Sequence, residues 1–158
     1  MMGRREFGLA GISAAALLAF QATGLAQAKK KKKGDSKAEG HHGMGAACAA
    51  ACGACQRSCD SCATHCASLL AEGEKDHLES LQTCQDCASL CATAAQIVSR
   101  GGPFTDLVCT ACAEACDRCA NACEKKPDDE HMKRCAEECR KCEKECREML
   151  KHVEHTAG

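Results

Sequence analysis

The chain has 158 residues, with 21 lysines and arginines against 22 aspartates and glutamates, a formal net charge of −1. So even a balance gives no field that would gather nucleic acid, and three Phe with no Trp or Tyr leave few rings on which bases could stack. The outlier is cysteine, at 18 residues, a density that ordinarily marks a disulfide scaffold.

The chain opens on MMGRREFGLAGISAAALLAFQATGLAQA. Arg4 and Arg5 precede an apolar run from Leu9 to Phe20, and Ala26-Gln27-Ala28 has the small residues of a cleavage site. The pair Arg4-Arg5 with Phe7 resembles a twin-arginine export signal. The run is short and rich in Ala and Gly for a membrane anchor. Residues 1–28 are therefore predicted to be a signal peptide, and the mature protein to be periplasmic or otherwise extracytoplasmic. Residues 29–45, KKKKKGDSKAEGHHGMG, mix charge and glycine without apolar periodicity. They predict a flexible tail whose lysines are solvated rather than held on a membrane. His41, His42 and Met44 within it make only a weak metal catch.

The cysteines then fall into four groups. The first is Cys48, Cys52, Cys55, Cys59, Cys62 and Cys66. The second is Cys84, Cys87 and Cys91. The third is Cys109, Cys112, Cys116, Cys119 and Cys123, and the fourth Cys135, Cys139, Cys142 and Cys146. Within each group the steps alternate between three and four. At roughly 100° per residue the first six side chains fall within an arc of about 80° on a helix, whereas a strand would scatter them over both faces. Breaks separate the groups. Glu72-Gly73-Glu74 and Arg100-Gly101-Gly102-Pro103 are stop signals, and Lys125-Lys126-Pro127-Asp128-Asp129 places cations at one helix end and anions at the next helix start. The prediction is an all-α, up-down-up-down antiparallel four-helix bundle over 46–155 with a cysteine-lined core, its helices near 46–72, 74–100, 104–125 and 128–155.

A seam of thiols needs a chemical reason, because cores are ordinarily filled by Leu, Ile and Val. Disulfides remain one reading for an exported chain, although neighbours at i+3 or i+4 on a helix aim their Cβ atoms poorly for a bridge. Zinc is the main metal competitor, but evenly spaced thiols are not expected to separate into closed tetrads. No C-x2-C-x2-C triplet suggests an iron–sulfur cluster. Thiol-redox catalysis would need an exposed, activated cysteine near a helix start, and no base lines up beside these, so no enzyme is predicted. Cu(I) fits best: it is soft, prefers thiolate and accepts two or three ligands that adjacent ions can share.

The signal Arg4-Arg5-Glu6-Phe7, C-x2-C-x3-C repeats such as Cys84-Cys87-Cys91, and eight C-x3-C pairs resemble the bacterial copper storage proteins. That resemblance implies a bundle preformed without metal, storage of many Cu(I) ions on all 18 cysteines and assembly into a homotetramer; such a store is expected to buffer copper and to supply copper-accepting proteins. One departure is that Ala94 and Val98 continue the second seam without sulfur, so copper should be sparser there. Continuing the seam at the opposite end gives His77 before Cys84 and Met132 before Cys135, with His65 and His131 nearby. Imidazole and thioether hold Cu(I) more loosely than thiolate, so His65, His77, His131 and Met132 are the candidate door. At the other end Ala94, Ile97, Val98, Phe104, Leu107, Val108, Leu150 and Val153 are expected to form an apolar plug, with Met149 as its one soft donor.

Overall fold

The structure, a computed structural model, describes residues 36–154. The predicted signal peptide lies outside the described residues, as do the side chains of His41, His42 and Met44. Four helices follow in order: α1 (Ser36–Ala71), α2 (Leu78–Ser99), α3 (Thr105–Glu124) and α4 (Glu130–Glu154). A 3-10 turn, Lys75–His77, precedes α2, and there is no strand among the described residues.

Helix α1 begins at Ser36, ahead of the predicted start at 46, so the stretch 36–45 is helical rather than the flexible tail expected of it. Lys37, Ala38 and Glu39 are good helix formers, and extending a helix already nucleated adds one hydrogen bond per residue fixed. Glycines stop α1 and α2 in the same way. Gly73 (φ 102°) and Gly101 (φ 60°) take the left-handed region. The N–H groups of Glu74 and Gly73 donate to the carbonyls of Leu69 (3.0 Å) and Leu70 (3.1 Å), and those of Gly102 and Gly101 donate to Ile97 and Val98, both at 3.0 Å. Both ends are Schellman motifs, which satisfy carbonyls that a helix terminus leaves open. Helix α4 starts on Asp129, whose Oδ1 accepts from the N–H groups of His131 (2.8 Å) and Met132 (3.1 Å) as an N-cap.

Each helix packs against two others, in the ring α1–α2–α3–α4. Sulfur contacts fix the directions. Along α1, Cys48, Cys52, Cys55 and Cys59 meet Cys109, Cys112, Cys116 and Cys119 of α3 in rising order, so these diagonal helices run parallel. Along α2, Cys84, Cys87 and Cys91 meet Cys119, Cys116 and Cys112 in falling order, so α2 runs against α3. Helix α4 runs against α1, since Cys146 meets Cys48 while Met132 meets Cys62. The bundle is thus up-down-up-down, as the cysteine groups predict.

The apolar end departs from expectation in part. Ala94 and Val98 are buried, but Phe104 (60% exposed) and Leu107 (62% exposed) do not join a plug. Leu107 stands two residues before the seam position Cys109, which turns it about 200° away, toward solvent. Among the described residues no helix is long and apolar enough to cross a membrane.

Candidate metal centre

The alternating three-and-four spacing places every cysteine on the inner stripe of its helix, and all eighteen are free thiols at most 1% exposed. Small flanking residues, Ala63, Ala88, Ala113, Ala120 and Ala136, are buried beside them, and after Met132 the cysteines are the largest fully buried side chains. Sulfurs meet along a helix, as at Cys55–Cys59 (3.8 Å), between neighbours, as at Cys91–Cys112 (3.5 Å) and Cys52–Cys146 (3.6 Å), and across the diagonal, as at Cys55–Cys116 (3.7 Å) and Cys91–Cys142 (4.0 Å). The diagonal helices reach one another through sulfur.

Groups of four thiols lie with all their sulfurs within 4.8 Å of one another. Most share members: Cys55 serves two of them, and so do Cys59, Cys84, Cys135 and Cys142. Three of the groups have no member in common with one another, Cys52/Cys112/Cys142/Cys146, Cys55/Cys59/Cys87/Cys139 and Cys62/Cys84/Cys123/Cys135, but each shares a thiol with a group lying between them. The tube therefore offers four-thiol groups, but they overlap along its length, as the even spacing leads one to expect. Two interleaved seams bring sulfurs from three or four helices to one level, which a single helix does not reveal.

A dry tube opposes charge. Burial first, then the neighbouring Cys62 and Asp129 charges, pushes the Cys66 thiol up to about 12. Ionising many such groups needs a cation between them, so metal binding and proton release are one event.

At the end beyond Cys66 the four candidate door residues come together, in different environments. Met132 is fully buried, and its Sδ accepts from the thiols of Cys62 (3.4 Å) and Cys66 (3.5 Å). His65 and His131 stack with ring centroids 4.6 Å apart. Nε2 of His65 sits 2.7 Å from Asp129 Oδ2, and Nε2 of His131 lies 3.2 Å from Ser61 Oγ. Burial works to raise the Asp129 carboxyl, but hydrogen bonds from His65 and from the backbone of Met132 and His131 outweigh it and hold the group below its usual range. His77 is buried, its Nε2 3.4 Å from Glu74. His65 and His77 both line a cleft of about 680 Å³ between the loop after α1 and the loop before α4. Asp129 and Ser61 escaped the sequence reading. The dipole argument marks Asp129 as a helix start, but its contact with His65 spans 64 positions and leaves no local signal.

The protein-family model described as copper storage protein matches residues 41–151. Among solved structures, the chain resembles a cytosolic copper storage protein from Streptomyces lividans loaded with five coppers, at 33% identity and a TM-score of 0.64 over 71% of this chain and 96% of that one. It resembles Ccsp from the same organism loaded with 10 copper equivalents, at 32% identity and a TM-score of 0.62 over 77% and 92%. The Cu(I)-bound copper storage protein BsCsp3 is 33% identical, with a TM-score of 0.61 over 68% and 98%. No curated protein matches.

These findings correct one expectation. The chain was predicted to be exported and periplasmic, whereas the Streptomyces lividans protein is described as cytosolic. The physical reason is redox: a cytosol keeps thiols reduced, so a copper storage protein held there need not load its metal before export.

Proposed function

Because this chain belongs to the copper storage protein family, we propose that its eighteen core cysteines, Cys48 through Cys146, are the ligands on which it binds and stores many Cu(I) ions. The observation that carries the reading is the column of free thiols, most of them 3.5 to 4.0 Å from a thiol of another helix, ending at Cys62 and Cys66 against Met132. Soft thiolate suits Cu(I), and sharing of sulfurs between adjacent ions lets the column fill along its length. The store lowers free copper and can pass it to copper-accepting proteins. The role is non-enzymatic: the thiols are buried along the helices, which disfavours thiol-redox chemistry on an outside substrate. Assembly into a homotetramer belongs to the same proposal and rests on the family resemblance. Copper comes and goes past His65, His77, His131 and Met132, a reading supported by their convergence at one end of the column.

The four-thiol groups, three of which can be filled at once without sharing a sulfur, favour a second reading, zinc in closed four-thiolate sites. Anaerobic titration with Cu(I) against a competing chelator, with thiols counted on the same sample, decides between them. The column predicts about one ion per thiol, roughly 18. Saturation at three to five ions would favour tetrads. Phe104 is the one aromatic residue after position 28, so protein must be quantified by amino-acid analysis or the peptide band rather than near-ultraviolet absorbance.

A further inference from the structure

Three of the four door residues have their donor atoms engaged: His65 on Asp129, His131 on Ser61, and Met132 with the thiols of Cys62 and Cys66. His77 is different. It is 4% exposed, and its Nδ1 is buried with no hydrogen-bond partner among the described residues. An orphaned buried nitrogen is rare in a native protein and points to a group that binds there part of the time.

The other edge of the ring bears on which tautomer of the imidazole is favoured. Nε2 faces two carboxylates, Glu74 at 3.4 Å and Asp76 at 3.8 Å. In the neutral imidazole, carboxylates on that side favour the ring proton on Nε2 over Nδ1, which leaves the Nδ1 lone pair free. Asp76 is itself paired with Lys126, which reaches across from the loop before α4. Metal-binding imidazoles carry this arrangement, with one nitrogen on the ion and the N–H of the other toward a carboxylate that sets tautomer and orientation.

We propose that Glu74 and Asp76 are positioning residues that hold His77 as the Nε2–H tautomer, with Lys126 fixing Asp76, so that Nδ1 is the atom that meets incoming Cu(I). The inference rests on the storage reading and adds to it the ligating atom and the residues that prepare it. Neither carboxylate touches the metal. Both are exposed, so neutral isosteres leave the bundle intact.

The test uses the full reduced chain labelled with 15N in its histidines. In the metal-free protein His77 should show an unprotonated Nδ1 and a protonated Nε2. The Nδ1 resonance should move during the first equivalents of Cu(I), delivered as a chelator complex. The Glu74→Gln/Asp76→Asn double variant should show mixed tautomers at His77 and load several-fold more slowly, with unchanged final capacity and unchanged helicity. A protonated Nδ1 in the wild type, an Nδ1 resonance unmoved at full loading, or wild-type tautomer and rate in the double variant would each overturn the inference while leaving the store intact. A capacity stuck at three to five ions would overturn the storage reading and this inference with it.

Discussion

Met132 occupies a seam position that elsewhere carries a thiol, and it is fully buried against Cys62 and Cys66. A thioether there is both filler and weak donor, and substitution separates the two roles. Met132→Leu conserves volume and should cost under about 1.5 kcal/mol of apo stability, whereas Met132→Ala opens a cavity worth roughly 2–5 kcal/mol. Combining Met132→Leu with His65→Gln and His77→Gln should slow copper loading and removal while leaving capacity nearly intact, as read by stopped-flow transfer from a Cu(I) donor. Unchanged rates would move the door to the Met149 end. Asp129 offers a cleaner dissection. It caps α4 and holds His65. Asp129→Ala should cost about 1 kcal/mol in thermal unfolding of the apo protein, whereas Asp129→Asn, an equally good cap, should cost little and yet loosen His65.

The helices were legible because their signals are local. The three-and-four spacing fixes which stripe faces inward, and Gly73, Gly101 and Pro127 mark where the chain turns. The start of α1 was not legible, because glycines and charges weigh toward a tail when each residue is judged without the helix that follows it. Hydropathy alone places Phe104 and Leu107 in a plug, but the angle from Cys109 turns Leu107 outward, and both are exposed. The ion pairs between elements carry no local signal at all. Arg140 of α4 reaches Asp117 (2.5 Å), Asn121 (2.6 Å) and Glu124 (2.9 Å) of α3, contacts that no helix-by-helix reading anticipates. The turn after α2 gives a test at this scale. Gly101→Ala places a Cβ at φ 60° and should cost roughly 1 kcal/mol, part of which Gly101→Asn recovers because Asn tolerates that region. Gly102→Ala should be worse, because its Cβ would lie 2.9 Å from the Ile97 Cγ2 methyl and 3.2 Å from the Ile97 carbonyl. Thermal unfolding of the three variants ranks them. If Gly102→Ala were the mildest, the close approach to Ile97 would not hold in solution.

The whole bundle has to exist before its cargo arrives. Buried alanines, capped helix ends and the Arg140 contacts owe nothing to metal, so the reduced apo protein should be helical by circular dichroism, unlike small zinc domains that collapse without their ion. The two states should then answer pH in opposite ways. In the apo protein the Cys66 thiol is raised from 9.0 to about 12, so folding favours its protonated form. A raised folded pKa contributes stability that is complete below the unfolded value and fades as pH climbs through the folded one. The apo bundle should therefore lose stability between pH 9 and about 12, where unfolding lets the thiol ionise. In the loaded protein the thiolates are already ionised on copper, so that alkaline loss should be absent. Acid should act instead: unfolding with copper release takes up protons, the unfolded state binds more of them than the native state, and stability falls as pH falls. Anaerobic thermal melts of both forms from acid to alkaline pH measure this directly. Curves that cross support thiolate as the store. Curves that run parallel would mean that copper displaces no protons from the cysteines, and the ligands would have to be sought among the histidines and Met132.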